Sequence, residues 1–477
     1  MENSLPKSLA ELKSWLQHLD KGLLEKLLEY ARQCYRTILE QLDDALTEHR
    51  SHGLRIEHRR AVWYQTCLGP VCVKRRVYRD GKGQRRCLLD ELMGMNKRDH
   101  ITLTVKEIAL YLATNMPYRR AAEVLRKTSA IDLTHQTIHR LMGKVADPYL
   151  EKAQNELRWF LETGEVVVGE GRQANRLMIE ADGVMLSLQR EKERRVEVKL
   201  GIAYEGWEKV SKDRYRTVNK TVYTAVGGGD DFWAGMTLKL QELYALHSVK
   251  DTVVGGDGAR WVREGASYVG GRFQLDRYHL NRELTAALGR DNETRGKVWH
   301  ACQCGDIETA LQIMAEAMRH ARGEQAQRIT KACSYMRENR AGLVDYRLAL
   351  GEEGKKGLRH TGAIEGNVDK FVARRMKNQG MSWRVKGISR LLCVRLLVFE
   401  GKFTEWLANR LVLSKSEGQS PALQIDMPGK LVRRLVNHLS MQEPDDWLKA
   451  GLPALRGPHA SRPWAQVLRS LSEVQPI

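Results

Sequence analysis

The sequence predicts an α/β core, in which a mixed β-sheet carries helices, preceded by a mainly α-helical region that contains a β-hairpin. Three observations lead to this prediction. Between 176 and 275, short β-branched and apolar runs alternate with amphipathic helical stretches, as in a sheet covered by helices. Residues 286–360 keep helical periodicity without a strand signal, so we expect a helical insertion there. Segments 1–50 and 101–165 also have apolar residues at three- and four-residue spacing, which predicts helices.

Composition and charge narrow the range of functions. The 477 residues include 78 Lys and Arg against 59 Asp and Glu, and the formal net charge is +19. An excess of this size is typical of proteins that bind a polyanion, most often nucleic acid. A hydrophobic share of 42% indicates a globular protein, and the length predicts roughly two to four domains.

Several classes of protein are excluded by what the sequence lacks. The first residues, MENSLPKSLAEL, contain no apolar segment of a secretory signal, and no run of about 18 apolar residues is present to span a membrane. The eight cysteines are dispersed and form no CxxC pair, which argues against a zinc ribbon and a disulfide framework. We therefore expect reduced cysteines and a cytoplasmic protein.

The first 100 residues divide into a helical arm and a basic β-hairpin region. The arm, 1–50, is slightly acidic, whereas 51–100 contains 12 Lys and Arg against 5 Asp and Glu. Two strands are predicted there, Leu54 to Tyr64 and Val71 to Tyr78. The hairpin is either a solvated structural element or a nucleic-acid contact. In the second case the candidate contacts are Lys74, Arg75 and Arg76.

Residues 101–165 contain a pattern with helix-turn-helix spacing. A short helix is predicted from about Arg119 to Lys127, and a second begins near Thr134, whose hydroxyl can cap it. Ordinary helical hairpins have the same pattern, so both interpretations stay open. If the second helix reads DNA, the side chains that face the major groove are His135, Gln136, His139 and Arg140.

The core itself is predicted from residue 170 onward. Three successive strands and then strand–helix–strand alternation predict a mixed sheet. The predicted strands are Arg176 to Glu180, Val196 to Tyr204, Thr221 to Val226, Thr252 to Gly256 and Arg272 to Leu275. The predicted helices are Phe232 to Leu246 and Ala259 to Tyr268. The predicted divisions are a first core segment 170–285, the insertion 286–360, a final core segment 361–412 and a C-terminal tail 413–477.

Three acidic residues stand where elements of this core begin or end. Asp182 lies within or at the end of the first strand, Asp257 follows the fourth strand, and Glu365 opens a long basic helix. If the first and fourth strands are neighbours, the two aspartates meet at one edge and the glutamate completes the group. Three carboxylates fit two Mg²⁺ ions, with Mn²⁺ as a substitute, held about 3.5–4 Å apart for phosphoryl chemistry. The alternative is two turn acids and an acid at a helix N-terminus.

Positive charge gathers after the third acid. The segment 355–415 contains 14 Lys and Arg against 4 Asp and Glu. Basic side chains at this place are suited to contact phosphates beside the acidic group. The candidates are Arg374, Arg375, Lys377 and Arg384.

Several motifs, in a fixed order, resemble one family. They are Ala181-Asp182-Gly183, Val198-Lys-Leu-Gly-Ile-Ala-Tyr-Glu-Gly-Trp207, Gly256-Asp257-Gly258-Ala-Arg-Trp261, Gln274-Leu-Asp-Arg-Tyr-His-Leu280, Gly362-Ala-Ile-Glu365-Gly-Asn367, Arg374-Arg-Met-Lys377 and Gly380-Met-Ser-Trp383. They look like the ISLre-type insertion-sequence transposases of bacteria, and the resemblance covers most of the chain. It implies a ribonuclease-H-like catalytic domain in which Asp182, Asp257 and Glu365 form the catalytic, metal-binding Asp-Asp-Glu triad.

A further motif, Asp276-x-x-His279, resembles a signature of the Mutator-like transposases of eukaryotes, where it lies near the active site. The resemblance implies a supporting role for Asp276 and His279 near the triad. The alternative is a histidine with a structural role at a strand end.

The function that the resemblance implies is Mg²⁺-dependent DNA transposition. Such an enzyme binds the double-stranded ends of its transposon, cleaves them and transfers the freed strand to target DNA. A homo-oligomer on DNA, a location at the bacterial nucleoid and no membrane partner are expected with it. Two alternatives remain open: a ribonuclease-H-like nuclease that cuts without joining, and a domesticated DNA-binding protein that has lost catalysis.

Overall fold

The structure, a computed structural model, describes residues 9–48, 50–95, 99–165, 171–212, 214–350, 357–378 and 380–413. The described residues form two compact units, one ending at Thr102 and the other spanning Leu103–Arg410. In the part so described, no helix is long and apolar enough to cross a membrane. Apart from Leu413, the predicted tail lies outside the described residues.

The first unit joins the predicted arm and hairpin. Its elements are the helices α1 (Leu9–Glu48) and α2 (Leu88–Leu92) and the strands β1 (Arg55–Thr66), β2 (Gly69–Arg79) and β3 (Arg85–Arg86). The strands form an antiparallel sheet in that order, which confirms the hairpin. Leu39 and Leu46 of α1 share one buried core with Tyr64 and Val73 of the hairpin, so arm and hairpin fold together.

The second unit holds the sheet of the core. Its strands are β4 (Arg176–Ser187), β5 (Arg195–Tyr204), β6 (Gly206–Ser211), β7 (Arg214–Val218), β8 (Thr221–Val226), β9 (Asp251–Gly256) and β10 (Arg272–Leu275). Five of them form a mixed sheet in the order β10–β9–β4–β5–β8, in which β9 and β10 run parallel to β4 and the other pairs are antiparallel. All five predicted strands are confirmed. The β6–β7 hairpin was not predicted.

Helices surround this sheet. They are α3 (Leu103–Asn115), α4 (Tyr118–Thr128), α5 (His135–Thr163), α6 (Gly229–Leu243), α7 (Arg260–Tyr268), α8 (Arg277–Leu288), α9 (Asn292–Cys304), α10 (Ile307–His320), α11 (Gly323–Glu338), α12 (Arg340–Leu343), α13 (363–376), α14 (Val385–Phe399) and α15 (Phe403–Leu413). Within α13, Asp369–Ala373 is a π-helical turn, a local irregularity that is frequent at functional sites.

The two faces of the sheet differ because side chains of a strand alternate. On one face, Ile179 and Ala181 pack against Phe232 and Trp233 of α6 in a buried apolar core. Glu180 and Asp182 therefore lie on the opposite face, toward α13. This alternation separates a purely apolar layer from the face that carries the acids.

The helical insertion builds its own core. Leu284, Ala310, Met314, Ile329 and Met336 are fully buried there, on α8, α10 and α11. The helical prediction for 286–360 is confirmed as far as Leu343. Beyond it the described chain has only a 3-10 turn, Tyr346–Leu350, before α13 begins.

The helices of 101–165 belong to the second unit and not to a separate domain. The boundaries of α4 and α5 agree with the helix-turn-helix prediction, and Thr134 caps α5 by accepting a hydrogen bond of 3.2 Å from the Thr137 amide. However, α5 runs on for 29 residues and packs along α14, where Asp147 pairs with Arg390 at 2.5 Å. Their shared packing ties this region to the core.

Candidate active site

Asp182 and Asp257 are brought side by side by the register of two parallel strands. Ala181 of β4 stands opposite Gly256 of β9, and each aspartate is the next residue along its strand. A side chain at Gly256 would place its Cβ only 2.5 Å from the Ala181 carbonyl oxygen, so glycine permits this close approach. The first and fourth predicted strands are neighbours, as the predicted convergence of the two aspartates requires.

A third acid extends the row. Leu275 of β10 also stands opposite Gly256, and Asp276 follows it directly. The Asp276 amide donates to the Gly256 carbonyl at 2.8 Å, which fixes the start of α8 against the end of β9. Three neighbouring parallel strands thus carry three aspartates on adjacent backbones, Asp182 within β4 and the other two directly after β9 and β10.

The loop that carries Asp257 is fixed by the helical insertion. Tyr335 of α11 donates its hydroxyl to the Asp257 carbonyl at 2.6 Å, and the carboxylate Oδ1 accepts from the Ala259 amide at 2.9 Å. Gly258 has φ +87°, and a Cβ there would lie 2.4 Å from Oδ1 of the buried Asn339. Only glycine combines this backbone conformation with this close contact.

Glu365 reaches the site from the first turn of α13. Its side chain is 43% exposed, and its Oε1 lies 4.0 Å from His279 Nε2. On the other side of the imidazole, Nδ1 lies 3.8 Å from Asp276 Oδ2. His279 therefore stands between Asp276 and the third acid of the triad.

The helix that carries Glu365 is anchored by a residue that sequence reasoning missed. Glu180, fully buried on β4, accepts hydrogen bonds from the amides of Gly362 (2.8 Å) and Ile364 (3.0 Å), and also from the Tyr204 hydroxyl. Burial raises the pKa of Glu180, while its three donors favour the carboxylate. The signal was present in the sequence as an acid inside an apolar strand, two residues before Asp182.

Asp276 and His279 are both buried at the start of α8. Asp276 caps α8 through Oδ1, which accepts from the Tyr278 amide at 2.8 Å. Its Oδ2 and His279 Nδ1 are buried, and among the described residues neither atom has a hydrogen-bond partner. Buried polar atoms without partners are rare and often mark functional sites. The two atoms lie 3.8 Å apart and face each other, a geometry that fits both the structural and the supporting interpretation of the motif.

The electrostatics of the site agree with its geometry. Burial, and then the neighbouring Asp257 and Glu365 carboxylates, raise the pKa of Asp182 to about 6. The Asp276 carboxylate raises the pKa of His279. Raised carboxyl pKa values caused by like charges are typical of catalytic acid clusters and indicate a site that attracts cations.

The acidic side chains of the site offer carboxylate oxygens, which are the type of ligand that Mg²⁺ prefers. In the part of the chain that the structure describes, no three His, Cys, Asp or Glu side chains lie close enough together to hold a metal ion. Mg²⁺ prefers carboxylate oxygens and takes one or two of them from protein, leaving its other positions to phosphate and water. Asp182 and Asp257 are the best-placed pair, because a cation there would relieve the repulsion that raises the Asp182 pKa.

Comparison with known proteins places the chain in a family. Residues 11–412 match UPF0236, described as an uncharacterised protein family. The chain belongs to UPF0236. A UPF0236 protein of Caldanaerobacter subterraneus subsp. tengcongensis is 25% identical over 387 residues, which cover 80% of this chain and 76% of the relative.

Two further relatives bear the same family name. A UPF0236 protein in the vanSb 3′ region of Streptococcus gallolyticus is 24% identical over 418 residues, covering 84% of this chain and 86% of the relative. Another Caldanaerobacter UPF0236 protein, 25% identical over 80% of this chain and 76% of its own length, carries eleven locus designations under a single name.

In this UPF0236 chain, two of the three basic hairpin candidates are engaged within the protein. Arg75 is 5% exposed, pairs with Asp90 at 2.7 Å and donates to the Tyr64 hydroxyl. Arg76 pairs with Asp43 of α1 at 2.8 Å. Lys74 alone is exposed, so the charge of β2 serves mainly to hold its own unit together.

The helix-turn-helix candidates are mostly at the surface. Gln136, His139 and Arg140 are exposed, and His135 is half-buried. His139 packs edge-on against Tyr118 of α4, with ring centroids 5.4 Å apart. The UPF0236 chain thus presents the start of α5 to solvent, as a recognition helix requires.

The basic candidates after Glu365 divide in the same way. Arg374, Lys377 and Arg384 are exposed, although Arg374 also pairs with Asp369 at 2.6 Å. Arg375 is 3% exposed and donates to the Ala113 carbonyl at 3.0 and 3.1 Å. A guanidinium occupied in this way does not fit the predicted phosphate contact. Arg375 instead joins α13 to α3.

Proposed function

We propose that this UPF0236 protein is the DNA transposase of an insertion sequence, with a ribonuclease-H-like catalytic core. The observation that carries the proposal is the convergence of Asp182 and Asp257 on neighbouring parallel strands beneath the helix of Glu365. The protein has a net charge of +19 and yet groups acidic side chains at this place. Metal-assisted phosphodiester chemistry on DNA would explain both the basic surface and the acidic group.

The topology of the sheet supports the ribonuclease-H-like assignment. Three consecutive antiparallel strands, β4, β5 and β8, are followed through crossover helices by two parallel strands on the other side of β4. The first aspartate lies on the first strand and the second follows the fourth strand. That arrangement places the two aspartates at adjacent positions on neighbouring parallel strands, beside the end of β9, and ligands of open α/β sheets bind at such strand ends.

In this proposal Asp182, Asp257 and Glu365 would hold Mg²⁺, which requires the three side chains to come closer together than the structure places them. The chemistry that two such ions supply is activation of the attacking oxygen and stabilisation of the leaving oxygen. The protein itself orients the groups: Glu180 sets α13, and His279 sets the Glu365 side chain. Exposed Arg374, Lys377 and Arg384 hold the DNA backbone nearby by charge.

The reaction proceeds by two in-line displacements at one site. First, water attacks a phosphodiester at the transposon end, and the broken P–O bond leaves a free 3′-OH. That 3′-OH then gives up its proton to solvent and attacks a target phosphodiester, so a new P–O bond forms as the P–O bond to the target 3′ oxygen breaks, and the released 3′ oxygen takes up a proton. No protein nucleophile is required.

The names of relatives support an insertion sequence over a single-copy nuclease. One UPF0236 relative carries eleven locus designations from one bacterium, and another carries four. One protein encoded at many loci is expected when its gene moves and copies itself. For this chain we infer the same kind of element, acting on double-stranded DNA in the cytoplasm as a homo-oligomer.

The Glu365→Gln variant tests the proposal. We expect it to lose at least 100-fold of the Mg²⁺-dependent cleavage of DNA that carries the element's ends, because a neutral amide cannot replace a carboxylate ligand. Binding of the ends should be retained. The matched control is Glu242→Gln, an acid on α6, which packs on the opposite face of the sheet.

The outcomes separate the alternatives. Cleavage by Glu365→Gln at the wild-type rate would exclude the triad. A wild-type protein that cleaves but never joins labelled ends to a target plasmid is a nuclease. A protein that binds DNA without any Mg²⁺- or Mn²⁺-dependent cleavage is the domesticated, catalytically silent form.

A further inference from the structure

A cavity of about 480 Å³ opens between α8 and α9, beside the candidate active site. This volume lies within the range of cavities that bind small ligands. Its polar and aromatic wall is formed by Arg277, Tyr278, Asn281, Asn292, Arg295 and Trp299. None of these lining residues is acidic, so the cavity combines positive charge with two aromatic rings and two amides.

The two guanidinium groups in the wall, those of Arg277 and Arg295, have different hydrogen-bond and ion-pair partners. Arg277 pairs with Asp345 at 2.7 Å, and its guanidinium lies 5.8 Å from the centroid of the Trp299 ring, so it is part of the framework. Arg295 donates only to neutral oxygens, those of Asn292 (2.5 Å) and Gly289 (3.3 Å), and over the described chain it has no carboxylate partner. Its charge is available to an anionic ligand.

We propose that this cavity binds one unpaired nucleotide of a DNA strand. Aromatic rings bind a base by stacking, which Trp299 and the exposed Tyr278 provide. Amides such as those of Asn281 and Asn292 can bond the edge of a base, and Arg295 can hold a phosphate. A base within a duplex is stacked and paired, so only a base extruded from it can enter such a pocket.

The position of the cavity links it to the reaction. Arg277 and Tyr278 lie between Asp276 and His279 on the first turn of α8, and the Tyr278 and His279 rings meet edge-on with centroids 5.4 Å apart. The cavity therefore adjoins the helical turn that carries Asp276 and His279, whose own side chains are buried. This inference rests on the proposed function, because it takes DNA as the substrate of the adjacent acids.

Binding of DNA by an Asp182→Ala protein tests the pocket without interference from cleavage. The probes are a 30-base-pair duplex with 2-aminopurine in a single-stranded extension and the same duplex fully paired. We expect about tenfold tighter binding of the extended probe, with quenched 2-aminopurine fluorescence caused by stacking. Adding Trp299→Ala should remove both the preference and the quenching while binding of the paired duplex is unchanged.

Two further variants guard against misfolding and general effects. Arg295→Gln, on the surface of α9, should weaken only the extended probe, about threefold to tenfold. Trp159→Ala, an exposed tryptophan of α5, should change nothing. Equal binding of the two probes, or a preference that survives both Trp299→Ala and Arg295→Gln, overturns the proposal. So does displacement of the extended probe by micromolar dAMP, because the pocket would then take a free nucleotide.

The result is independent of the test of the proposed function. If the wild-type protein cleaves transposon ends but shows no preference for the unpaired base, only the pocket proposal is rejected. If it shows the preference but no cleavage, the pocket proposal is supported and the proposed transposase activity is rejected.

Discussion

Asp182 shows how one residue can be favourable for chemistry and unfavourable for folding. Its carboxylate is partly buried on β4 beside Asp257, and burial followed by the neighbouring carboxylates raises its pKa to about 6. The folded protein therefore binds a proton at Asp182 more tightly than the unfolded chain does. Ionisation of this residue costs stability in the absence of a cation, and a cation at the site would recover it.

The Asp182→Asn variant should be more stable than the wild type at pH 7.5 in EDTA, by on the order of 1–3 kcal/mol. Since the folded-state pKa is raised, the stabilising proton is fully bound below about pH 4 and is lost as the pH rises through about 6. The gain should therefore vanish at pH 4. Urea denaturation at both pH values measures it, with the exposed Asp132→Asn as control. Equal stability of the variant and the wild type at pH 7.5 would contradict a raised pKa of Asp182 in the folded protein.

Arg374 and Arg375 are neighbours in sequence but have opposite environments. Arg375→Gln should lower the free energy of unfolding by about 2–3 kcal/mol, because buried hydrogen bonds from a charged donor to the Ala113 carbonyl are lost. Arg374→Gln should leave stability almost unchanged and reduce the salt dependence of DNA binding by about one phosphate contact. Denaturation curves and salt titrations of DNA binding measure both effects in both variants. If Arg375→Gln instead changed the salt dependence and Arg374→Gln changed the stability, Arg375 would be the phosphate contact that the sequence predicted.

At the scale of elements, α13 is the part of the site that does not belong to the sheet. Its N-terminus is fixed to β4 through Glu180, and a π-helical turn interrupts it one turn after Glu365. Glu180 therefore sets the N-terminal turn that carries Glu365, whereas Arg375 holds the far end of the helix against α3. Of the other two acids, Asp182 lies within β4 and Asp257 directly follows β9, so the sheet itself fixes the position of both.

Glu180→Gln tests this dependence. Its amide group cannot accept from all three donors, so we expect a loss of stability of about 1–3 kcal/mol. The cleavage rate should fall at least tenfold, while the dissociation constant for DNA stays the same, because Glu180 does not touch DNA but positions Glu365. Tyr204→Phe removes only one donor and should have a clearly smaller effect on the rate. Rates that fall equally in both variants would contradict a specific role for the two amide contacts.

At the scale of the whole molecule, the helices of 103–165 and the C-terminal helices form a single packed structure with the core. Asp147 and Arg390 join α5 to α14, and Trp406 of α15 donates to the Val145 carbonyl at 3.1 Å. The buried residues Leu141, Met142 and Val145 of α5 need this partner surface. A helix-turn-helix fragment that ends at 165 lacks it.

Fragments of the chain should behave accordingly. We expect 103–413 to be monodisperse and to unfold in one cooperative transition, because it contains the whole of the second unit. A fragment 1–165 should bind the dye ANS and aggregate, since apolar faces of α3 to α5 are uncovered. Size-exclusion chromatography and urea unfolding measure both. A stable, dye-free 1–165 fragment would show that these helices are an independent domain.

The sequence by itself determined much of the fold, because the information was local. Strand and helix periodicity identified all five strands of the sheet, the helical insertion and the cap at Thr134. The acids within and after predicted strands made Asp182 and Asp257 candidates for the site, and that assignment stays a prediction. Net charge and its clustering suggested a polyanion as partner. Each of these inferences depends on residues a few positions apart, so a single sequence is sufficient for it.

Only the tertiary structure decided which residues are available to act. Arg75 and Arg375 look like DNA contacts in sequence but are buried against partners far along the chain. Glu180 looks like an ordinary strand residue but fixes the helix of Glu365. The cavity beside Trp299 exists only because α8 and α9 fold against each other. Ion pairs and hydrogen bonds between residues far apart in the sequence neutralise some charged side chains and leave others exposed. No local sequence pattern indicates which charged side chains stay exposed.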